Sequence, residues 1–68
     1  MRKITSIRVS QQQSGLLFLI RHSNGKHDRH YSGDMDEREW KAMERLLKTM
    51  QPEVEMDGEE LVAYYYPR

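Results

Sequence analysis

Residues 16–31, LLFLIRHSNGKHDRHY, decide the fold, because an apolar run leads into Asn24-Gly25 and a polar segment returns from it. Asn-Gly pairs tolerate the positive φ angles of a two-residue type I′ turn, whose twist matches that of paired strands. The segment therefore predicts a β-hairpin with strands at residues 16–22 and 26–32.

The length of the turn sets which side chains of the predicted hairpin share a face. With a two-residue turn, one face carries Phe18, Ile20, His22, His27, Arg29 and Tyr31, so that Phe18 lies opposite Tyr31 and His22 opposite His27. The other face carries Leu17, Leu19, Arg21, Asp28 and His30. The first strand of the hairpin is therefore apolar on both faces.

Further strands are predicted on both sides of this hairpin. Residues 4–10, ITSIRVS, are rich in β-branched side chains. Their alternation places Thr5, Ile7 and Val9 on one face and Ile4, Ser6, Arg8 and Ser10 on the other. Residues 11–15 then form a polar connection to the next strand. Residues 61–66, LVAYYY, form an unbroken apolar run of the kind that is covered on both faces, and Asp57-Gly58 marks a turn before them.

Residues 36–50 predict one amphipathic helix. Its apolar face consists of Trp40, Met43, Leu46, Leu47 and Met50. Asp34 or Asp36 caps its start, because each is followed three residues later by Glu. Pro52 ends it, since the proline ring disfavours a helical conformation at the preceding residue.

The predicted fold class is α+β. A small antiparallel sheet of four to five strands, in the order β-β-β-α-β, has one amphipathic helix packed on one face. An extra short strand at residues 54–56, before the last strand, gives the higher strand count. At 68 residues, the whole chain, residues 1–68, is expected to form one small domain.

Composition narrows the class of protein. Cysteine is absent, which excludes disulfides and thiolate metal sites and is typical of a reducing compartment. The longest apolar run that contains no tyrosine, residues 16–20, is too short to cross a membrane. We therefore expect a cytoplasmic protein without membrane association.

The net charge of zero conceals two oppositely charged halves. Residues 1–32 carry six Lys or Arg and one acidic residue, and residues 33–68 carry five Lys or Arg and ten acidic residues. Either the opposite charges of the two halves pair with each other within the fold, or the surface has a basic end and an acidic end and steers a charged partner.

One helix covers one face of such a sheet and leaves the other face without a cover. Apolar and aromatic side chains on an uncovered face mark an interaction surface. We predict that this surface contains Phe18, Ile20, Tyr31, Tyr64 and Tyr66. The leading expectation is a small non-enzymatic protein-binding module, with a homodimer as one form of it. The alternative is that strand twist and long Lys and Arg side chains cover the face within the monomer.

Nucleic-acid binding is the second functional hypothesis. Its candidate contacts are Arg8, Arg21, Lys26 and Arg29, with Phe18 and Tyr31 nearby for base stacking. Sequence motifs of the common RNA-binding domains are absent, and the predicted helix is acidic. We therefore rank this hypothesis below protein binding.

The three histidines do not predict a metal site. In the register given above, His22 and His27 face each other, but His30 points to the opposite side of the sheet. The acidic residues concentrate at the helix start and in residues 53–60, where solvated charge is the ordinary role. We therefore expect no metal, no cofactor and no catalytic residue.

In general style the chain resembles the accessory proteins of phages and mobile elements. These are very short, cysteine-free proteins of mixed charge that bind a host protein and inhibit or redirect it. The resemblance covers no motif, and it implies a protein partner and action by occupying a surface of that partner.

Overall fold

A computed structural model describes residues 3–68. It contains β1 (Ile4–Gln12), β2 (Gly15–His22), β3 (His27–Tyr31), a 3-10 turn (Ser32–Asp34), α1 (Glu37–Lys48), β4 (Met50–Asp57) and β5 (Glu60–Pro67). Within these residues, the strands form one antiparallel sheet in the order β3-β2-β1-β5-β4. The α+β prediction is confirmed, including the extra strand before the last one.

The β2–β3 hairpin turns over three residues rather than two. The amide of Gly25 donates to the carbonyl of His22 over 3.0 Å, and the amide of His22 donates to the carbonyl of Lys26 over 2.9 Å. Gly25 has a φ of 86°, and within residues 3–68 no residue other than glycine has a positive φ. Ser23 and Asn24 therefore form a type I turn, and Gly25 supplies the left-handed residue of a bulge. The predicted type I′ turn is wrong, because it requires a positive φ at Asn24.

This turn shifts the pairing of β3 by one residue from the prediction. Tyr31 lies opposite Leu17, and Phe18 lies opposite His30. His27 lies opposite Arg21 rather than His22. Since side chains alternate along a strand, the shift moves every side chain of β3 to the other face.

A bulge also changes the start of β1. Ile4 pairs with His22, and the register shifts between Ile4 and Ser6. Ile4 consequently packs against the core under the helix instead of on the predicted opposite face. At its other end β1 continues to Gln12, which pairs with Gly15, so most of the predicted connection at residues 11–15 belongs to strands.

The core lies between α1 and one side of the sheet, which we call the helix side. Its buried residues are Ile7, Val9, Phe18, Ile20, Met43 and Met50. The rings of Phe18 and Trp40 meet edge to face, with their centroids 6.0 Å apart. Phe18 and Ile20 are only 1% and 6% exposed. Their predicted place in an interaction surface is wrong, because the alternation of β2 directs both side chains under α1.

The helix starts as predicted and ends earlier. The side chain of Asp36 caps it by accepting from the amide of Glu39 over 2.8 Å. Thr49 closes the last turn through a hydrogen bond from its hydroxyl to the carbonyl of Leu46, 2.7 Å away. Met50 therefore begins β4 and is not helical. Pro52 lies within β4 rather than ending the helix, which an edge strand permits.

Candidate interaction surface

The side of the sheet opposite α1 is the open side. Pairing across the strands assigns to it Ser6, Arg8, Ser10, Leu17, Leu19, Arg21, Arg29, Tyr31, Val62, Tyr64 and Tyr66, together with the β4 acids Glu53, Glu55 and Asp57. Among the predicted interaction residues, Tyr31, Tyr64 and Tyr66 thus lie on this side. Among the predicted nucleic-acid contacts, Arg8, Arg21 and Arg29 lie here, and Lys26 lies at the end of the hairpin turn.

A cavity of about 320 Å³ opens in the middle of this side. Its walls are Ser6, Arg8, Leu19, Arg21, Tyr64 and Tyr66, contributed by β1, β2 and β5. The two tyrosines are two residues apart on β5, and Arg8 lies directly opposite Tyr64. Sheet pairing therefore brings two phenol rings and two guanidinium groups around one apolar leucine.

Part of the open side beside this cavity is buried although α1 lies on the other side. Ser10 and Val62 face each other across β1 and β5 and are 3% and 0% exposed. Burial of both residues is compatible with the alternative that neighbouring side chains cover part of this face within the monomer. The cover is partial, because Tyr66 is 40% exposed. The open side therefore has a buried part, which we call its floor and which contains Ser10 and Val62. It also has an exposed aromatic rim that contains Tyr66.

Both arginines of the cavity have partners on other strands of the sheet. A guanidinium nitrogen of Arg8 lies 3.6 Å from a carboxylate oxygen of Asp57. Nε of Arg21 donates to Nε2 of His27 over 3.1 Å. The side chain of Arg8 is 37% exposed, so this ion pair contributes little to stability.

Charge divides the open side into two halves. Arg21 and Arg29 lie on β2 and β3, whereas Glu53, Glu55 and Asp57 lie on β4 at the opposite edge. All five residues are exposed. The charge asymmetry of the sequence therefore becomes a bipolar surface, with the tyrosine cavity between the poles.

Tyr31 occupies a corner apart from this cavity. Its hydroxyl shares a hydrogen bond with the hydroxyl of Ser14. Its ring passes so close to Gly33 that a Cβ at that position would lie 2.8 Å from the ring. Gly33 is therefore required for the ring position, and Tyr31 is held against the β1–β2 turn.

The observed register separates His27 from His22 and His30. His22 lies on the helix side, where its Nε2 is 2.6 Å from a carboxylate oxygen of Asp28, while His27 lies on the open side. Nδ1 of His22 is buried without a hydrogen-bond partner. Within residues 3–68, no group of three or more His, Cys, Asp or Glu side chains has a geometry suited to a metal ion.

An exposed apolar patch at β4 was missed in the sequence. Val54 and Met56 are 62% and 61% exposed, and Leu61 beside them is 42% exposed. All three lie on the helix side, and Val54 and Leu61 border a cavity of about 250 Å³ that is mostly apolar. The alternation of acidic and apolar residues in EVEM, residues 53–56, was the available signal. We call Val54, Met56 and Leu61 the β4 patch.

Comparison with known proteins finds no matching family, no matching curated protein and no matching solved structure. Within the described part of the chain, no helix is both long and apolar enough to cross a bilayer.

Proposed function

We propose that this chain is a small, non-enzymatic protein-binding module that acts in the cytoplasm by covering a surface of its partner with the open side of its sheet. The observation that supports this proposal is the cavity lined by Tyr64, Tyr66, Arg8 and Arg21. Tyrosine and arginine are enriched among the residues that dominate binding energy at protein interfaces. Tyrosine supplies a large rigid contact area at low cost in conformational entropy, and arginine supplies several hydrogen-bond donors.

The side chains that line the cavity indicate which chemical groups the partner should present. An arginine carries five N–H donors, and the contacts of Arg8 and Arg21 with Asp57 and His27 use only some of them. Carboxylates bind arginine with two parallel hydrogen bonds. The expected partner therefore places an apolar side chain between the tyrosines and an acidic group beside it. Occupation of that partner surface is the means by which the module inhibits or redirects it.

Single-stranded nucleic acid is the second candidate for the same cavity. Tyrosine rings stack on bases, and arginine side chains contact phosphates. The acidic strand argues against this candidate, because Glu53, Glu55 and Asp57 repel phosphates on the same side of the sheet. Arg8 is also already close to Asp57. Protein binding therefore stands first.

Self-association is a special case of the proposed function. A two-fold axis parallel to the strands would place Arg29 on β3 of one copy over the acidic residues of β4 in another, so the open side is complementary to itself in charge. Sedimentation equilibrium distinguishes this case from a separate partner. A homodimer gives twice the 8.2 kDa mass of one chain, whereas a single species of 8.2 kDa would exclude a homodimer.

The proposal is tested by affinity capture with variants of the open side. Wild-type protein, Arg21→Ala and Tyr64→Ala are immobilised at equal density, together with Arg45→Ala, which makes the same change as Arg21→Ala on exposed helix surface. Wild type and Arg45→Ala should retain the same protein at a stoichiometric ratio. Arg21→Ala and Tyr64→Ala should weaken its binding about tenfold or more.

Two results would contradict protein binding through this side. One is a retained protein that binds all four forms equally. The other is retention of single-stranded oligonucleotide whose affinity falls steeply with salt and is lost in Arg21→Ala, which would establish the second candidate.

A further inference from the structure

Strand β4 has an open edge. Within residues 3–68 it lies at the end of the sheet and pairs with β5 alone. A two-residue turn separates Asp57 from Glu60, so these two residues close the hairpin as a hydrogen-bonded pair. Because such pairs alternate along an antiparallel ladder, Glu53 and Glu55 also bond inward to β5.

The residues between them point their backbone groups outward. Val54 and Met56 therefore direct N–H and C=O groups away from the sheet. Pro52 belongs to the same outward set, which is where an edge strand accommodates a residue without an N–H. The pairing edge is thus interrupted at Pro52 and continuous from Val54 onward.

The same two residues also expose their side chains. Val54 and Met56 are each more than half exposed and lie on the helix side, beyond the area covered by α1. With Leu61 they form the β4 patch, and the cavity behind Val54 extends toward Ala63 and Tyr65. A strand added to this edge would satisfy the outward backbone groups and cover these side chains together.

The charges of β4 determine which kind of partner strand can pair with its edge. Glu53, Glu55 and Asp57 project on the open side, and all three are exposed. A second β4 paired here would place glutamates beside glutamates, which is destabilising. A strand that alternates basic and apolar residues would instead place Lys or Arg against the acids and apolar side chains against Val54 and Met56.

We infer that β4 is a docking edge for an extended segment of a partner protein in which basic and apolar residues alternate. Backbone pairing at Val54 and Met56 provides the attachment, and the acidic face of β4 provides the selectivity. This surface is distinct from the tyrosine cavity of the open side, so the inference does not depend on the function proposed for that cavity.

The inference is tested with peptides of the length of β4 and an isotope-labelled protein. One peptide alternates Lys with Val, a second alternates Glu with Val, and a third alternates Lys with Ser. The Lys–Val peptide should slow hydrogen exchange at the outward amides of Val54 and Met56. The amides of Glu53 and Glu55 should be protected with and without peptide, because they already bond to β5. The other two peptides should leave all four amides unchanged.

Charge substitutions supply the matched control. Glu55→Lys should weaken binding of the Lys–Val peptide about tenfold, because it replaces a cross-strand attraction by a repulsion. Glu44→Lys makes the same change on exposed helix surface and should bind the peptide as wild type does. Replacement of both Glu53 and Glu55 by Lys should transfer binding to the Glu–Val peptide.

Three outcomes would overturn the inference. The first is unchanged exchange at Val54 and Met56 at saturating Lys–Val peptide, which would show that proline and acidic residues protect this edge from pairing. The second is equal weakening by Glu55→Lys and Glu44→Lys, which would show unspecific charge attraction. The third is equal binding of the Lys–Ser peptide, which would exclude a role for the β4 patch.

Discussion

The two sides of the sheet use similar residues for different purposes. On the helix side, Phe18 and Ile7 lie beneath α1 and are almost fully buried. On the open side, Val62 is equally buried but Tyr66 remains 40% exposed. The difference lies in the cover, since α1 encloses the core on one side and does not lie over the aromatic residues of the open side. The same central strands therefore carry a core on one side and an accessible aromatic surface on the other.

This comparison separates stability from binding. A domain of this size has a free energy of unfolding of only about 5 kcal/mol, most of it from one core. Residues on the helix side should therefore dominate stability. Residues on the rim of the open side should be nearly neutral for folding and are available for a partner.

The largest expected effect is that of Phe18→Ala on the helix side. Removing a fully buried ring that contacts Trp40 leaves a cavity and should cost about 3–5 kcal/mol. That loss is comparable to the whole stability of the domain. Urea unfolding followed by circular dichroism should show a largely unfolded population without denaturant. A cooperative transition near the wild-type midpoint would show that the core is not where we place it.

Val62→Ala measures how much a buried residue on the open side contributes to stability, for comparison with Phe18 on the helix side. If the cover of Val62 by neighbouring side chains is well packed, the substitution should cost about 2 kcal/mol, less than Phe18→Ala. The change in urea midpoint at an unchanged slope measures this cost. An effect close to zero would mean that the floor of the open side is not packed in solution.

Asp36→Ala should destabilise α1, the helix that covers the core, without changing any residue of the sheet. Loss of the side-chain cap at the amide of Glu39 should cost about 1 kcal/mol. Asp36→Asn retains an oxygen acceptor and serves as the control. Amide exchange should accelerate first at Glu39 and the preceding helical residues, and equal effects of both substitutions would argue against the cap.

The smallest expected effect on stability is that of Tyr66→Ala on the rim. Its ring is substantially exposed, so the free energy of unfolding should change by no more than about 0.5 kcal/mol. Thermal unfolding of both forms at equal concentration measures this difference. A loss as large as that of Val62→Ala would make Tyr66 part of the core and remove it from the proposed binding surface.

The sequence predicted the elements of the fold better than their pairing. Alternation in β1 and β5 and the helical spacing of Trp40, Met43 and Leu47 are local patterns, and each predicted element is present. The hairpin register failed because Ser23-Asn24-Gly25 permits either a two-residue turn or a type I turn with a bulge. Both turns place glycine where a positive φ is needed, so local chemistry does not distinguish them.

The candidate site depends on contacts that no local pattern records. The tyrosines of β5 and the arginines of β1 and β2 were predicted individually, but their shared cavity requires β1 to pair with β5 across more than fifty residues of chain. The β4 patch was missed for a different reason. Pro52 was interpreted as a helix terminator, so only residues 54–56 of the eight-residue β4 were predicted as a strand.

The most direct test of the separation between the two sides combines two measurements on one variant, Tyr64→Ala. We predict that its free energy of unfolding stays within about 1 kcal/mol of wild type, while its affinity for the captured partner falls about tenfold or more. Unchanged affinity would contradict the account, and so would a loss of affinity fully explained by unfolding of the variant.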